Sequence, residues 1–252
     1  MNKMIIGNWK MNPATVGEAE RLFKEIVLGI GGKKSTKVVI CAPSPFIGGL
    51  FLLAKGKIKM GAEDCSVGDI GPHTGAVSAP MLRSIGAKYV ILGHSERRAE
   101  GEDDELISKK IKSALSAGLK VVFCVGERER DETGEYFGFI KNQLMVGLSK
   151  TKKEWLKNLL IVYEPIWAIG KDAMRPAKPA DVLEVSIFIK KVLTEIFGRE
   201  DGIMVPIIYG GSVDSQNSAE FLKDGGVEGL LVGRESLNAE SFLKILKIAN
   251  DA

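Results

Sequence analysis

The chain has 252 residues, 45% of them apolar and 27% charged, with 35 basic against 32 acidic side chains for a formal net charge of +3. That length allows one large domain or two small ones. The composition affords a sizeable core, excludes a disordered chain and leaves no basic stripe of the kind that tracks nucleic acid. Lysine pairs such as Lys33-Lys34 and Lys152-Lys153 read as solvated faces. Cys41, Cys65 and Cys124 sit in or beside apolar runs without CxxC spacing, which argues against a disulfide framework and for a reducing compartment. Two histidines are few for a dedicated transition-metal site. The N-terminus, MNKMIIGNWKMN, lacks the long apolar core of a signal peptide, and no run of about 18 apolar residues occurs anywhere. The expectation is a cytoplasmic, globular protein with neither nucleic acid nor membrane as partner.

Short runs rich in Val, Ile and Leu recur along the chain, each followed by polar residues or glycine. In order they span 3–8 (KMIIGN), 37–42 (KVVICA), 58–63 (IKMGAE), 88–94 (KYVILGH), 120–127 (KVVFCVGE), 159–164 (LLIVYE), 205–212 (VPIIYGGS) and 229–234 (GLLVGR). They do not alternate polar with apolar, as strands buried on both faces of a parallel sheet need not. Helical periodicity fills the gaps. A short helix falls near Ser78 to Ile85. In DDELISKKIKSALSAG, Leu106, Ile107, Ile111 and Leu115 share a face, Asp103 or Asp104 offers the N-cap, and Gly118 the stop. SAEFLKDGG and NAESFLKILKIAN behave likewise. Eight strand–helix units with no Pro/Ser-rich linker point to one eight-stranded α/β barrel rather than a doubly wound sheet.

Chemistry in such a barrel gathers where strands end and the following loops begin. Those ends carry Asn8 and Lys10, then Glu63, His94, Glu127, Glu164, Ser212 and Gly233. Caps, turns and solvated ends account for any one of them as well as function does.

Six blocks decide between the two: NWKMN (8–12), GHSERR (93–98), CVGE (124–127), YEPIWAIG (163–170), YGGSV (209–213) and LVG (231–233). In content and order the whole chain resembles the triosephosphate isomerase family. The resemblance implies a single (β/α)8 TIM barrel over residues 1–252 and interconversion of dihydroxyacetone phosphate with glyceraldehyde 3-phosphate, without cofactor or metal. It implies Glu164 as the base that removes a proton beside the carbonyl. A carboxylate is a feeble base in water, and Ile166 and Trp167 could supply part of the apolar setting it needs. His94 is implied as the electrophile, with a helical turn at Ser95-Glu96-Arg97 that would favour neutral imidazole. Lys10 is the implied fixed positive charge and Asn8 an oxygen contact. Glu96 would position the lysine, with a plain structural ion pair as the alternative. Ser95, Cys124, Glu127 and Trp167 fall in the same blocks as supporting residues. Gly170, Gly211, Ser212 and Gly233 match the phosphate-contacting region, where glycines let backbone donors approach closely. His73, in GPHTG (71–75), has no catalytic context. That loop resembles the one by which a subunit of the family reaches its neighbour, with Thr74 at the tip. A homodimer is thus implied, although a polar surface loop would suit a monomer equally well.

The sequence departs from the family pattern in three places. Lys171 to Lys178 intervene before Pro179, about two residues more than usual, so the lid after Gly170 keeps its N-terminal hinge, Pro165-Ile166-Trp167, but has no assignable C-terminal one. Arg234 stands where a second glycine commonly follows Gly233. The segment AEGEDDE after GHSERR is slightly short. A Schiff-base aldolase would need a desolvated lysine at a central strand end, and Lys10 is at the first. A catalytically weakened barrel serving as a binding or scaffold protein is the remaining alternative, favoured only by the altered lid.

Overall fold

The computed structural model describes residues 3–31, 36–170 and 173–252. Lys33-Lys34 and the first two residues of the lengthened stretch, Lys171 and Asp172, lie outside the described residues. The chain runs β1 (Met4–Asn8), α1 (Val16–Gly29), β2 (Lys37–Ala42), α2 (Ser44–Leu53), β3 (Lys59–Ala62), α3 (Ala79–Ser84) and β4 (Ala87–Leu92). It continues with α4 (Ser95–Ala99), α5 (Asp104–Ser116), β5 (Lys120–Val125), α6 (Glu135–Gly147), β6 (Leu159–Tyr163), α7 (Pro179–Phe197) and α8 (Arg199–Met204). The last elements are β7 (Ile207–Tyr209), α9 (Ser218–Asp224), β8 (Gly229–Val232) and α10 (Ala239–Asp251). Every strand pairs in parallel with the next, and β8 pairs with β1, so the sheet closes as the expected eight-stranded barrel.

The uniformly apolar strands divide their residues by parity. Met4, Ile6, Val39, Cys41, Tyr89, Ile91, Val122, Cys124, Leu160, Val162, Ile208 and Leu231 fill the barrel interior. Their immediate neighbours, such as Ile5, Ile40, Val90, Phe123 and Ile161, pack outward against the helices. Alternation is complete but invisible as polarity, because both faces are buried. Parity also aims the ends. Asn8 continues the inward series 4-6-8, and Glu164 the series 160-162-164.

The helices are set by local signals. Thr15 and Glu18 close a capping box on α1. Asp103, rather than Asp104, caps α5 by accepting the Leu106 N–H at 2.7 Å, and Gly118 takes up φ +80° after it. Ile107, Ile111 and Leu115 are buried as expected, but Leu106 is only half-buried and lines a groove instead. The helix also buries Lys110, which the periodicity does not foresee.

Several strands are shorter than their apolar runs. The run 88–94 stops pairing at Leu92, because Gly93 turns the chain with φ +73°. The run 205–212 keeps only Ile207–Tyr209. Gly93-His94 and Gly210–Ser212 are released into the loops that follow the strands. Phe123 is fully buried against Gly147, where even a β-carbon would come within 2.4 Å of the ring. Phe123→Ala is therefore expected to cost about 3–5 kcal/mol in urea unfolding; a loss under about 1 kcal/mol would mean this layer is loosely packed.

Candidate active site

At the C-terminal mouth of the barrel, Glu164 is 2% exposed. Its backbone N–H donates to the Val125 carbonyl at 2.8 Å, and Gly126 approaches so closely that a β-carbon there would sit 1.8 Å from the Glu164 carbonyl oxygen. Only glycine fits that position. The carboxylate has one backbone donor and a close imidazole. The Ser95 N–H reaches Oε2 at 2.9 Å, and His94 Nε2 lies 3.2 Å from Oε1.

The histidine is oriented from its other side. His94 is the N-cap of α4, and its Nδ1 accepts the Glu96 N–H at 3.2 Å. A nitrogen that accepts cannot also carry a proton, so this contact assigns the Nε2–H tautomer. The expected turn at Ser95–Arg97 thus acts through a specific backbone donor.

Lys10 stands across the same mouth. Its backbone is left-handed, φ +55°, a conformation that costs a side-chain-bearing residue roughly 1 kcal/mol or more. Asn8 holds it there: Asn8 Oδ1 accepts the Lys10 N–H at 3.1 Å. The Lys10 ammonium donates to Glu96 Oε1 at 2.6 Å, with both side chains substantially exposed. Asn8, Lys10, His94, Ser95, Glu96, Glu164, Gly170, Gly211, Ser212 and Gly233 together line one cavity of about 610 Å³. Gly170 has φ +83°, and Ser212 Oγ lies 3.5 Å from the Ala168 carbonyl, so the loops after β6 and β7 touch.

Four expected residues stand apart from that cavity, Trp167 among them, buried with its indole on Glu127. Cys124 is fully buried inside the barrel, and its thiol is pushed well up by burial and by the neighbouring Glu164 carboxylate, so it stays protonated and inert. Glu127 is a buried hub: Oε1 accepts from Tyr163 Oη at 2.8 Å, Trp167 Nε1 at 2.7 Å and Arg130 Nη1 at 3.2 Å. Burial nonetheless raises its proton affinity against those donors. Thr74 is exposed on the 71–76 loop, away from this chain's own cavity.

Some contributors were not singled out from the sequence. Arg98, inside GHSERR, donates to the Gly93 carbonyl at 2.7 Å and the Cys124 carbonyl at 3.3 Å, tying the ends of β4 and β5 together. Lys110 pairs with Asp64 at 2.8 Å and Glu102 at 2.6 Å beneath a second cavity of about 980 Å³ that shares Lys10 and His94 with the first. Glu102 comes from the shortened AEGEDDE segment, so the shortening keeps an internal ion pair. Among the described residues no cluster is placed to hold a metal ion, and no helix is long and apolar enough to cross a membrane.

The family model described as triosephosphate isomerase matches residues 3–249. The chain belongs to the triosephosphate isomerase family. It is 41% identical to the triosephosphate isomerase of Aquifex aeolicus over 98% of this chain and 99% of that one. It is 43% identical to that of Carboxydothermus hydrogenoformans over 96% and 97%. Among solved structures, the triosephosphate isomerase of Bartonella henselae superposes with a TM-score of 0.85 at 36% identity, covering 98% of this chain and 99% of that one. A triosephosphate isomerase fold thus accounts for the whole barrel and for the order of its blocks.

Glu63 is a further carboxylate at the barrel mouth and lines the second cavity. It follows β3 on the inward parity, its Oε1 is buried without a hydrogen-bond partner, and its pKa is pushed up to about 8. Burial is the main cause; the Lys10 backbone N–H and ammonium lower it, and the Glu96 charge raises it. The folded-state value exceeds the unfolded one, so folding favours the protonated form. Wild-type stability is highest below about pH 4.5 relative to a neutral analogue and falls progressively as pH rises to about 8. Glu63→Gln is expected to be near neutral at pH 5 and stabilising by about 2–4 kcal/mol at pH 9, read from urea midpoints. Equal effects at the two pH values would remove Glu63 from this role.

Proposed function

We propose that the protein interconverts dihydroxyacetone phosphate and glyceraldehyde 3-phosphate through an enediolate, with Glu164 as base, His94 as electrophile and Lys10 as fixed cation. The observation that carries this assignment is the buried Glu164 carboxylate 3.2 Å from His94 Nε2 in a cavity that Lys10 also lines. Starting from the ketose, Glu164 takes a proton from C1 and the electron pair moves onto the C2 oxygen. His94 Nε2–H and the Lys10 ammonium face that oxygen and stabilise its charge. A proton passes between the two oxygens, and Glu164 returns its proton to C2, leaving an aldehyde at C1. Proton and electron counts balance, and the carboxylate is regenerated.

The remaining assignments follow from what each group can reach. Asn8 holds the Lys10 backbone, and Glu96 positions its ammonium. The Ser95 N–H parks the carboxylate until substrate arrives. Gly170, Gly211, Ser212 and Gly233 offer main-chain and hydroxyl donors to the phosphate after strands six, seven and eight, where barrels commonly bind it. A scaffold reading has no support in a site with Asn8, Lys10, His94 and Glu164 all present. Three free, buried thiols fit a cytoplasmic setting.

The same reading makes the protein a homodimer. Ile70 and Met11 are 88% and 94% exposed, and the 980 Å³ cavity opens beside Lys10, a surface that a second copy's 71–75 loop would fill. Thr74→Arg at that loop's tip is expected to move the species in sedimentation from twice the 27.3 kDa chain mass to the single chain. A wild-type protein sedimenting as a monomer would end the dimer reading.

Glu164→Asp, which withdraws the carboxylate by about 1 Å, is expected to lower kcat for glyceraldehyde 3-phosphate roughly a hundredfold or more, with a much smaller change in KM. Glu164→Gln should abolish turnover in metal-free buffer. Retained turnover in the glutamine variant would take the role of base away from Glu164.

A further inference from the structure

The connection from β6 to α7 has two stems, Pro165–Gly170 and 173–178, and Trp167 joins them. Its carbonyl accepts the Met174 N–H at 2.8 Å, and its indole Nε1 donates to Glu127. The face of its ring is covered by the Arg175 guanidinium, 4.6 Å from the centroid. Arg175 is itself fixed in a fork: Nη1 donates to Asp181 Oδ2 at 2.7 Å and Nη2 to Asp181 Oδ1 at 2.9 Å. Asp181 lies in the first turn of α7 and also accepts the Lys178 N–H at 2.8 Å. Trp167 is 3% exposed although it sits in a surface connection, whereas the Arg175 side chain is 45% exposed.

An ordinary exposed ion pair on a flexible connection contributes little, because both side chains must be ordered to make it. Here the planar guanidinium makes two parallel hydrogen bonds and stacks on an indole at once, a combination open to arginine and closed to lysine. The indole that it covers begins the turn leading to Ile169 and Gly170, which line the 610 Å³ cavity. Arg175 therefore ties a rigid helix to the segment that presents Gly170.

We infer that Arg175 is a positioning residue for substrate phosphate: it clasps the two stems of the β6–α7 connection through Trp167 and Asp181 and so holds the Trp167–Gly170 turn against the phosphate. The inference rests on the reading of Gly170 as a phosphate contact.

The test uses Arg175→Ala, Arg175→Lys and Asp181→Asn in a Trp155→Phe background, where Trp9 and Trp167 are the remaining indoles. Steady-state kinetics with glyceraldehyde 3-phosphate, competitive inhibition by inorganic phosphate and tryptophan emission are read together. Arg175→Ala is expected to raise KM and the phosphate inhibition constant together by about tenfold while kcat changes less than threefold. Its emission should shift to longer wavelength as water reaches the Trp167 ring. Arg175→Lys should recover less than half of the loss, and Asp181→Asn should reproduce most of it even if the alanine variant folds poorly. KM and phosphate inhibition within twofold of wild type in a folded Arg175→Ala protein would overturn the inference, with or without an emission shift. Failure of the Glu164 assignment is distinguishable, because it would appear as turnover retained in Glu164→Gln while phosphate inhibition still reported on Arg175.

Discussion

The site depends on where one carboxylate is allowed to rest. Glu164 is removed from water at the end of β6, and a buried carboxylate is tolerated only with hydrogen-bond donors aimed at it. One short stretch supplies a donor, the Ser95 N–H, and an imidazole whose Nε2 lies 3.2 Å from Oε1. That arrangement fixes much around it. The donor on Nε2 requires Nδ1 to accept, which the Glu96 N–H at the start of α4 satisfies. The start of α4 requires Gly93 to turn the chain and Arg98 to brace the turn against β5. The close passage of β5 requires Gly126. One electrostatic demand therefore accounts for conformations in three consecutive strand ends.

A second, separate network governs the connection after β6. Glu127 gathers three donors on one oxygen, and Arg130 continues from it to Glu184 on α7, where Tyr136 also donates. Arg130 lies over the Tyr136 ring at 4.1 Å. This network contacts neither Lys10 nor His94. Its reach is to Trp167, so it bears on how the Trp167–Gly170 turn is held, while the Ser95–His94 pair bears on the carboxylate.

The barrel was legible because eight apolar runs cannot be buried on both faces in many ways, and because the blocks that follow them fall in a fixed order. Asn8, Lys10, His94, Glu96, Ser95 and Glu164 were legible for the same reason, and the structure brings them to one cavity. The strand ends were overestimated wherever apolar character outlasted the ladder, as at Gly93. Glu63 was visible as a strand-end residue but not as a strained one, since its cost comes from an oxygen that finds no donor, which depends on neighbours far away in sequence. Lys110 was hidden because its partners, Asp64 and Glu102, come from different segments. The inward parity of positions 61 and 63 was a signal that could have raised Glu63. Nothing in the residue order alone could have paired Arg175 with both Trp167 and Asp181.

The pairing of Lys10 with Glu96 would work against the proposed chemistry if it were strong. A lysine neutralised by a carboxylate at 2.6 Å offers less field to a phosphate or a developing oxyanion. Exposure decides the matter. Both side chains are in contact with solvent, where such a pair is worth about 0–1 kcal/mol and is readily exchanged. A dianionic substrate brings two negative charges to the same ammonium where Glu96 brings one, so it competes for the lysine on favourable terms. Glu96 thus sets the resting direction of the ammonium without holding it back. The strained Lys10 backbone, locked by Asn8, keeps the side chain's origin fixed while its charge transfers allegiance.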